Sequence, residues 1–430
     1  MLLTVAGLFT SQAGSQQISK YDCERAFSML NEVAKDVETH YYDPKLHGLD
    51  WEATVADTKQ KIKSSPSFDA ALTQIAQALL SLNDSHTLFE PPPMSYFVDY
   101  GFHEQIIGDR CYITHVRPGS DAEAKGLTPG DELLAIGNYR PARETLWMME
   151  YRYYVLWPAA GFRLALRDER GQQRQVDVMA KFTPRGRTWD LSGWGIPDLV
   201  RRAEDRGQLA RPRWAEVGDD VAVLKLPTFM LAEPDVKALI KRACRRPGLI
   251  LDLRGNPGGR SDTLSYMLGA MFAADVKIGD RVGRRESKPM VAKSWNQAAA
   301  AFGGKLVVLV DSRSASASEL FARVVQLEKR GLILGDRSAG SVMEATRYHH
   351  DSVTNVQVLY GAEISDADII MSDWKSLEHT GVTPDELVLP TAADLASGRD
   401  PVLSRAAALL GATITSTDAG KMFPYEWPKE

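Results

Sequence analysis

Short apolar runs alternate with amphipathic segments in the second half of the chain, and this pattern predicts a mostly parallel sheet. The runs are DVAVLKL, GLILDLRG, KLVVLVD and GLILGD. Strands covered by helices on both faces have this near-continuous apolar character. Segments with helical spacing separate the runs: EPDVKALIKRAC, SDTLSYMLGAMFA and SASELFARVVQLEKR. We therefore predict a mixed, mostly parallel α/β core over residues 216–412, followed by a C-terminal tail over 413–430.

The first part of the chain has a helical pattern that ends at a run of three prolines. In the segment CERAFSMLNEVAKDVETHYYD, apolar side chains recur at helical spacing: Phe27, Leu30, Val33 and Val37. Asp50 and Ser67 precede two further helical segments and are of the residue types that cap helix N-termini. Because the prolines of NDSHTLFEPPP stop any helix, the pattern predicts a helical domain over residues 17–92.

Between these two parts the pattern is that of short strands and turns. The stretch CYITHV alternates like a strand, and FRLALRD with QVDVMA predicts a hairpin. ETLWMMEYRYYV is helical, and a turn with a short helix occupies RPGSDAEAKGLTPGD. Strands around two helices in under a hundred residues indicate a compact peptide-binding module over residues 95–182. A polar, arginine-rich connector follows over 183–215. The fold class is therefore α/β, of the multidomain α+β kind.

Composition and charge exclude several classes of protein. A chain of 430 residues is too long for one compact core. A net charge of −5 gives no general attraction to nucleic acid or to an anionic membrane. The three cysteines form no metal-binding pattern and no full disulfide framework. No apolar run is long enough to form an integral membrane segment.

The first sixteen residues support two interpretations equally. An apolar stretch followed by small residues is typical of a secretory signal, but no Lys or Arg precedes it. A cleaved signal would place the protein outside the cytoplasm, in the periplasm or secreted. A mobile tail would leave it cytoplasmic.

A cluster of small residues lies where the run KLVVLVD meets a helical segment. In SRSASASE, Ser316 stands between two alanines, so its hydroxyl is unobstructed. The first N–H groups of a helix have no intrahelical partners and can stabilise an oxyanion. A nucleophile at this junction is one hypothesis, and Ser314 or Ser318 fits it equally on local grounds. A helix capped by serine is the structural alternative.

Two further stretches carry residues suited to the same chemistry. In LDLRGNPGG, a buried strand leads into Gly258 and Gly259, which allow the backbone to approach a ligand closely. The loop lacks the Lys-Ser/Thr ending of a phosphate loop, so nucleotide binding is not indicated. In LNDSHTLFE, His86 lies beside Ser85. Because a serine hydroxyl needs a base, this histidine is a candidate.

Together and in this order, these stretches resemble the C-terminal-processing, or tail-specific, serine peptidase family, in its tricorn-core-like branch with a PDZ domain. THYYDPKLHGLDW and LNDSHTLF resemble its helical part, and VRPGSDAEAKGLTPGDELLAIGN resembles its PDZ domain. LILDLRGNPGG, VLVDSRSASASELFA and GVTPDELV resemble its catalytic core. The resemblance implies a core of the ClpP/crotonase type and a serine endopeptidase that cleaves unfolded or C-terminally exposed polypeptides.

The resemblance selects Ser316 as the nucleophile. One branch of the family has a lysine as general base, but here Ser341 of GDRSAGSVM occupies its place. The tricorn-like branch instead has an early Ser-His pair and a late glutamate, which correspond to Ser85, His86 and Glu378. His86 is then the base, and Ser85 links it to Glu378.

Other roles follow from the same resemblance. Gly258, slightly preferred, or Gly259 would supply one oxyanion donor, and Ala317 the other. Asp373 or Asp385 is an alternative to Glu378 as the acid.

Gly101 and Phe102 are the candidate peptide-binding residues of the PDZ-like module. YGFHE departs from the usual Gly-hydrophobic-Gly pattern, so a gating role is the alternative.

The predicted partner is a polypeptide substrate, with no nucleic acid, no metal and no organic cofactor. Homo-oligomerisation stays open. Two alternative functions also stay open: a catalytically inactive peptide-binding scaffold and a carrier of a small apolar ligand.

Overall fold

The computed structural model describes residues 17–184, 211–295, 301–353 and 357–427. The predicted signal or mobile tail over 1–16 lies outside the described residues, as does most of the connector predicted over 183–215.

Helices and strands are numbered in chain order. The helices are α1 (Lys20–His40), α2 (Trp51–Lys63), α3 (Phe68–Leu80), α4 (Asp121–Ala124), α5 (Leu146–Glu150), α6 (Glu233–Ala243), α7 (Ser261–Gly269), α8 (Ala317–Leu327), α9 (Ala392–Ala396), α10 (Pro401–Leu409) and α11 (Ser416–Lys421). The strands are β1 (Leu88–Glu90), β2 (Tyr96–Asp99), β3 (Phe102–Ile107), β4 (Arg110–Val116), β5 (Glu132–Ile136), β6 (Gly161–Arg167), β7 (Gln173–Met179), β8 (Lys181–Pro184), β9 (Arg213–Val217), β10 (Val221–Lys225), β11 (Gly248–Asp252), β12 (Val276–Gly283), β13 (Ser287–Ala292), β14 (Lys305–Val310), β15 (Leu332–Gly335), β16 (Met343–Val353), β17 (Gln357–Met371) and β18 (Glu386–Leu387).

A six-stranded sheet forms the centre of the second half of the chain. Its order is β18-β15-β14-β11-β10-β9, and every neighbouring pair is parallel except β9 with β10. Leu249, Ile250 and Leu251 of β11 are fully buried. The alternate strand residues face two separate apolar clusters, one under α6–α8 and one under α10 and α11. The predicted mostly parallel, two-face-covered sheet is confirmed.

The N-terminal helices pack against a second sheet. Asp50 and Ser67 cap α2 and α3 as predicted, because their side chains accept the N–H groups of Ala53 at 3.0 Å and Ala70 at 3.2 Å. The apolar faces of α1 and α3 lie against β17, whose Ala362 is fully buried with them. The order of this sheet is β1-β17-β12-β13, with β16 paired to β17. The chain leaves the helical part through β1, which joins the second sheet by pairing with β17.

The module between these parts is a five-stranded antiparallel sheet, β3-β4-β5-β6-β7, with α4 and α5. The predicted hairpin is confirmed, because β6 pairs with β7 from Gly161↔Met179 to Arg167↔Gln173. The helical stretch after Glu150 continues as a π-helical turn over Tyr151–Leu156.

Strand β3 is an edge strand of the module, and it docks on the core next to the serine cluster. The guanidinium of Arg313 donates to the carbonyl of Glu104 at 2.5 Å and pairs with the Glu150 carboxylate on α5. The hydroxyl of Ser312 donates to the carbonyl of Ile106. Two carbonyl acceptors of the edge strand are therefore occupied by the core. None of the helices within the described ranges is both long and apolar enough to cross a bilayer.

Candidate active site

Ser316 lies at the sharp turn between β14 and α8. Its backbone has φ 55° and ψ −120°, which is unusual for a residue other than glycine. Such a conformation costs about 1–3 kcal/mol and persists only where the surroundings hold it. The Ser316 N–H donates to the Ser341 carbonyl at 2.8 Å and to a Glu319 carboxylate oxygen at 3.0 Å. The turn is thus fixed from two sides.

Hydrogen bonding separates Ser316 from the other serines of the cluster. Ser314 is fully buried, and its hydroxyl donates to the Leu253 carbonyl at 2.9 Å. Ser318 is fully buried as well, and its hydroxyl donates to the Asn256 carbonyl at 3.0 Å. Among the four serines of the cluster, all of which are described, only the Ser316 hydroxyl donates no hydrogen bond.

Ser85, His86 and Glu378 form a hydrogen-bonded relay. The Ser85 Oγ lies 2.7 Å from Nδ1 of His86 and 2.9 Å from Oε2 of Glu378. The Ser85 N–H also donates to Oε1 of Glu378 at 2.7 Å. The structure therefore brings together residues separated by almost 300 positions in the sequence.

Electrostatics fix the direction of the relay. Burial lowers the pKa of His86, although the nearby Asp84 charge acts in the opposite sense, so the imidazole is neutral at pH 7. Burial raises the pKa of Glu378, while the N–H groups of Val342 and Ser85 lower it. These donors suit a carboxylate, so the Ser85 hydroxyl donates to Glu378 and accepts from Nδ1–H of His86. The hydrogen-bond network thereby leaves Nε2 of His86 with a free lone pair.

Ser316 and the relay are connected through one short segment of chain. Ser341 accepts the N–H of Ser316, and the next residue, Val342, donates its N–H to Oε2 of Glu378 at 2.8 Å. Within the described ranges, Nε2 of His86 makes no hydrogen bond and the Ser316 hydroxyl donates none. Catalytic hydrogen bonds are often absent without substrate and form in the Michaelis complex.

The other acids and the nearby lysine are placed elsewhere. Asp373 pairs with Arg323 of α8, and Asp385 accepts the Ile333 N–H at 2.8 Å. Neither contacts His86, and Lys375 is exposed. Ser341, which stands at the place of the lysine in the other branch, is instead held by its backbone.

Two carboxylates that support the site were not found by the sequence analysis. Oδ1 of the buried Asp84 accepts the N–H groups of His86 at 2.9 Å and Thr87 at 2.7 Å. Glu319 accepts the N–H of Ser316. The signal available for Asp84 was its position two residues before His86, where an Asp side chain commonly bonds the following backbone. Glu319 lies three residues after the N-cap residue Ser316, as in a capping box.

Gly258 and Gly259 differ in whether their N–H groups are available to bind an oxyanion. The N–H of Gly258 donates to Oδ1 of Asn256 at 2.8 Å, so it is already committed within its own loop. The carbonyl of Gly258 accepts the Phe229 N–H at 2.7 Å. Because the next peptide N–H points opposite to that carbonyl, the Gly259 N–H faces away from Phe229. In the described part of the chain, the N–H groups of Gly259 and Ala317 make no hydrogen bond, so the geometry favours Gly259 over Gly258.

The candidate peptide-binding residues of the module lie in a closed loop. The N–H of Gly101 donates to Oδ1 of Asp99 at 2.8 Å, and its carbonyl accepts the Arg117 N–H. Phe102 is almost fully buried in the module. A carboxylate would have to compete with Asp99 for the Gly101 N–H.

A cavity of about 540 Å³ opens between the module and the core, beside the relay. Its wall includes Ser85, Trp147, Ala315, Ser341 and His379. The cavity wall therefore contains the sequence neighbours of His86 and Ser316, namely Ser85 and Ala315. No group of three or more His, Cys, Asp or Glu side chains within the described ranges could hold a metal ion.

The match to a known family covers the central sheet. Residues 220–388, which include Ser316 and Glu378, match the model of Peptidase family S41. This part of the chain is therefore similar to the members of peptidase family S41.

Curated relatives extend the S41 similarity over more of the chain. A protein from Streptomyces coelicolor named as a tricorn protease homologue is 30% identical over 406 residues, which is 88% of this chain and 32% of that protein. The tail-specific protease of Haemophilus influenzae is 27% identical over 239 residues, 54% of this chain and 32% of that protein. The chain thus spans about a third of the length of these two relatives.

Solved S41-type structures share the fold. Mature CPAF has a TM-score of 0.65 at 16% identity, with 88% of this chain and 95% of that chain covered. The photosystem II D1 C-terminal processing protease has a TM-score of 0.52 at 17% identity, with 84% and 93% covered. The helical N-terminal part, the module and the core therefore form a fold that these two solved structures share.

Proposed function

We propose that this protein is a serine endopeptidase that cleaves unfolded or C-terminally exposed polypeptides through an acyl-enzyme on Ser316. The observation that carries the proposal is the relay in which the Ser85 hydroxyl joins His86 to Glu378. It leaves the lone pair of His86 Nε2 free, in a site where the Ser316 hydroxyl donates no described hydrogen bond, so its proton is available to a base. A nucleophile, a base and a buried acid are then present without a lysine.

Acylation begins when substrate completes the site. Nε2 of His86 takes the proton from Ser316 Oγ as this oxygen forms a bond to the scissile carbonyl carbon. The carbonyl oxygen becomes an oxyanion, which the N–H groups of Gly259 and Ala317 stabilise. The positive charge on His86 is balanced through Ser85 by the carboxylate of Glu378.

The second half of the reaction restores the enzyme. His86 gives its proton to the leaving amine nitrogen as the C–N bond breaks, and the acyl group stays on Ser316. Water then attacks the ester carbonyl while His86 accepts a proton from it. Collapse of the second tetrahedral intermediate releases the new carboxyl terminus and returns the proton to Ser316.

The polypeptide substrate is supported by the shape of the site and by the relatives. A cavity between module and core admits an extended chain, whereas a folded domain would not enter it. Relatives carry the names tail-specific protease and carboxyl-terminal-processing protease. We infer that a free, unfolded C-terminal segment is the form of substrate that reaches Ser316.

Hydrolysis of one polypeptide in folded and unfolded forms tests the proposal. We expect wild type and the exposed-site control Lys375→Ala to cleave the unfolded form at equal rates, and Ser316→Ala to cleave neither. Cleavage that survives in folded Ser316→Ala would overturn the assignment of the nucleophile. Saturable binding of the unfolded polypeptide without cleavage would instead favour the inactive scaffold.

A further inference from the structure

Glu319 is a fully buried carboxylate whose hydrogen bonds all come from the active-site region. It lies in the first turn of α8, three residues after the nucleophile. Oε1 accepts the Ser338 hydroxyl at 2.6 Å and the Gly340 N–H at 2.7 Å. Oε2 accepts the N–H groups of Ser316 at 3.0 Å and Ser341 at 2.9 Å. A buried carboxylate is rare unless it is fully hydrogen-bonded, as this one is.

Three of the four partners are N–H donors and the fourth, the Ser338 hydroxyl, can also donate, which favours the ionised form. The Val382 N–H donates to the Ser338 oxygen, so the Ser338 hydroxyl proton is free to point at Glu319. Burial raises the pKa of Glu319 to about 7, and the four donors act in the opposite direction. Activity should therefore be assayed at pH 8, where the Glu319 side chain is mostly ionised.

These contacts fix two catalytic elements at once. On one side, Glu319 holds the N–H of Ser316, whose positive φ needs such support. On the other, it holds Ser341 directly before Val342, whose N–H binds the Glu378 carboxylate. The carboxylate thus sits between the nucleophile and the acid without touching the reacting atoms.

We propose that Glu319 is a positioning residue that sets the nucleophile Ser316 and the acid Glu378 at the correct separation. The inference rests on the proposed function. Glu319 acts through Ser316 and through the segment 338–342. It also keeps the Ser316 N–H from competing with the Ala317 N–H for the oxyanion.

Glu319→Gln is the direct test, because its amide nitrogen would face two N–H or O–H donors. We expect kcat for an unfolded peptide to fall about 100-fold, the loss typical of an ångström-scale misplacement. KM should stay within about threefold, since no substrate contact is removed. Glu328→Gln, the same change at the exposed other end of α8, should leave both constants unchanged.

The rate of labelling by a fluorophosphonate separates this inference from the proposed function. Wild type should be labelled on Ser316, and folded Glu319→Gln should be labelled about 100-fold more slowly. If wild type is not labelled, the proposed function fails. If wild type is labelled and folded Glu319→Gln reacts at the same rate, the positioning role alone is overturned.

Ser338→Ala keeps the test decisive if Glu319→Gln does not fold. This change removes one of the four donors and leaves the carboxylate in place. We expect kcat to fall about 3- to 10-fold with unchanged KM, since one of four hydrogen bonds to the carboxylate is lost and no substrate contact is removed. Wild-type kcat in folded Ser338→Ala, together with a Glu319→Gln that does not fold, would reduce Glu319 to a structural residue and overturn the inference.

Discussion

At the scale of single residues, neighbouring serines of the cluster differ in the hydrogen bonds that their hydroxyl groups make. Ser314 and Ser318 give their hydroxyl protons to the backbone of the 253–256 loop, and this fixes the loop against the start of α8. Ser316 is left with a free hydroxyl on a strained backbone. The sequence analysis could not separate these three by local pattern, because spacing does not show which carbonyl each hydroxyl meets.

The contact between Gly258 and the nucleophile gives the first prediction. A Cβ on Gly258 would lie 2.7 Å from the Cβ of Ser316 and 2.9 Å from the N–H nitrogen of Ala317. We expect Gly258→Ala to displace Ser316 and to lower kcat/KM by at least about 100-fold.

Gly255→Ala is the matched control, measured in the same peptide assay. Gly255 also has positive φ, at 73°, but a Cβ there would meet nothing within 4 Å. Both substitutions therefore introduce backbone strain, but only Gly258→Ala places a Cβ against Ser316. Equal losses in the two would show that strain alone accounts for the effect.

At the scale of elements, the site is built where a parallel strand, a loop and a distant hairpin meet. The sequence predicted the strand, α8 and the glycine loop, because their patterns are local. It did not predict the hairpin β16–β17, whose first strand, MEATRYHHDSV, is too polar to alternate clearly. That hairpin pairs with β1 just after His86 and leads to Glu378, so the meeting of relay and core was visible only through the family resemblance.

Docking of the module gives a prediction for Arg313. Arg313 lies in the core, and its guanidinium contacts two elements of the module. It donates to the Glu104 carbonyl of β3 and pairs with the Glu150 carboxylate of α5. Arg313→Met should remove these bonds and destabilise the docked module by about 1–3 kcal/mol. Hydrogen exchange of the amides over 102–107 should then accelerate.

Arg330→Met provides a comparison at a core arginine away from the module. Its guanidinium bonds carbonyls of the core, including that of Met271 at 2.7 Å. Exchange over 102–107 should be unchanged in this variant. Unchanged exchange in Arg313→Met would show that the docked edge does not depend on this arginine.

The buried charges at the end of β11 give a prediction for stability. Burial alone would raise the pKa of Asp252, but Arg254 and Lys225 outweigh it and hold that pKa well below 3.8. Arg254 also bonds Asp400, the N-cap of α10, at 2.7 Å. Asp252→Asn should cost about 3–5 kcal/mol, as for a broken buried pair.

The pH dependence of this loss follows from the sign of the shift. The stabilisation is complete above the unfolded pKa near 3.8 and is lost as pH falls through the lower folded pKa. Urea unfolding should therefore give a constant difference between wild type and Asp252→Asn from pH 7 to 5, shrinking below about pH 4. A difference that grows on acidification would contradict the assigned charge.

At the scale of the whole molecule, helices, module and core meet around one site. The sequence order of elements and the candidate residues could be predicted, because periodicity and motif spacing are properties of the chain. Which glycine N–H is free, and that the core occupies the edge of β3, depend on contacts between distant segments. In the sequence, Glu319 stands at an ordinary helix-cap position. Its positioning role is indicated only by its burial and its four hydrogen-bond donors.

The measurement that tests the central claim most directly is fluorophosphonate labelling, followed by mass spectrometry of the labelled peptide. Wild type and Lys375→Ala should carry the label on Ser316, and Ser316→Ala should carry none. His86→Ala should lose at least about 1,000-fold in labelling rate, because its base is gone. Label on another serine, or folded His86→Ala labelled at the wild-type rate while Lys375→Ala is not labelled, would contradict the account.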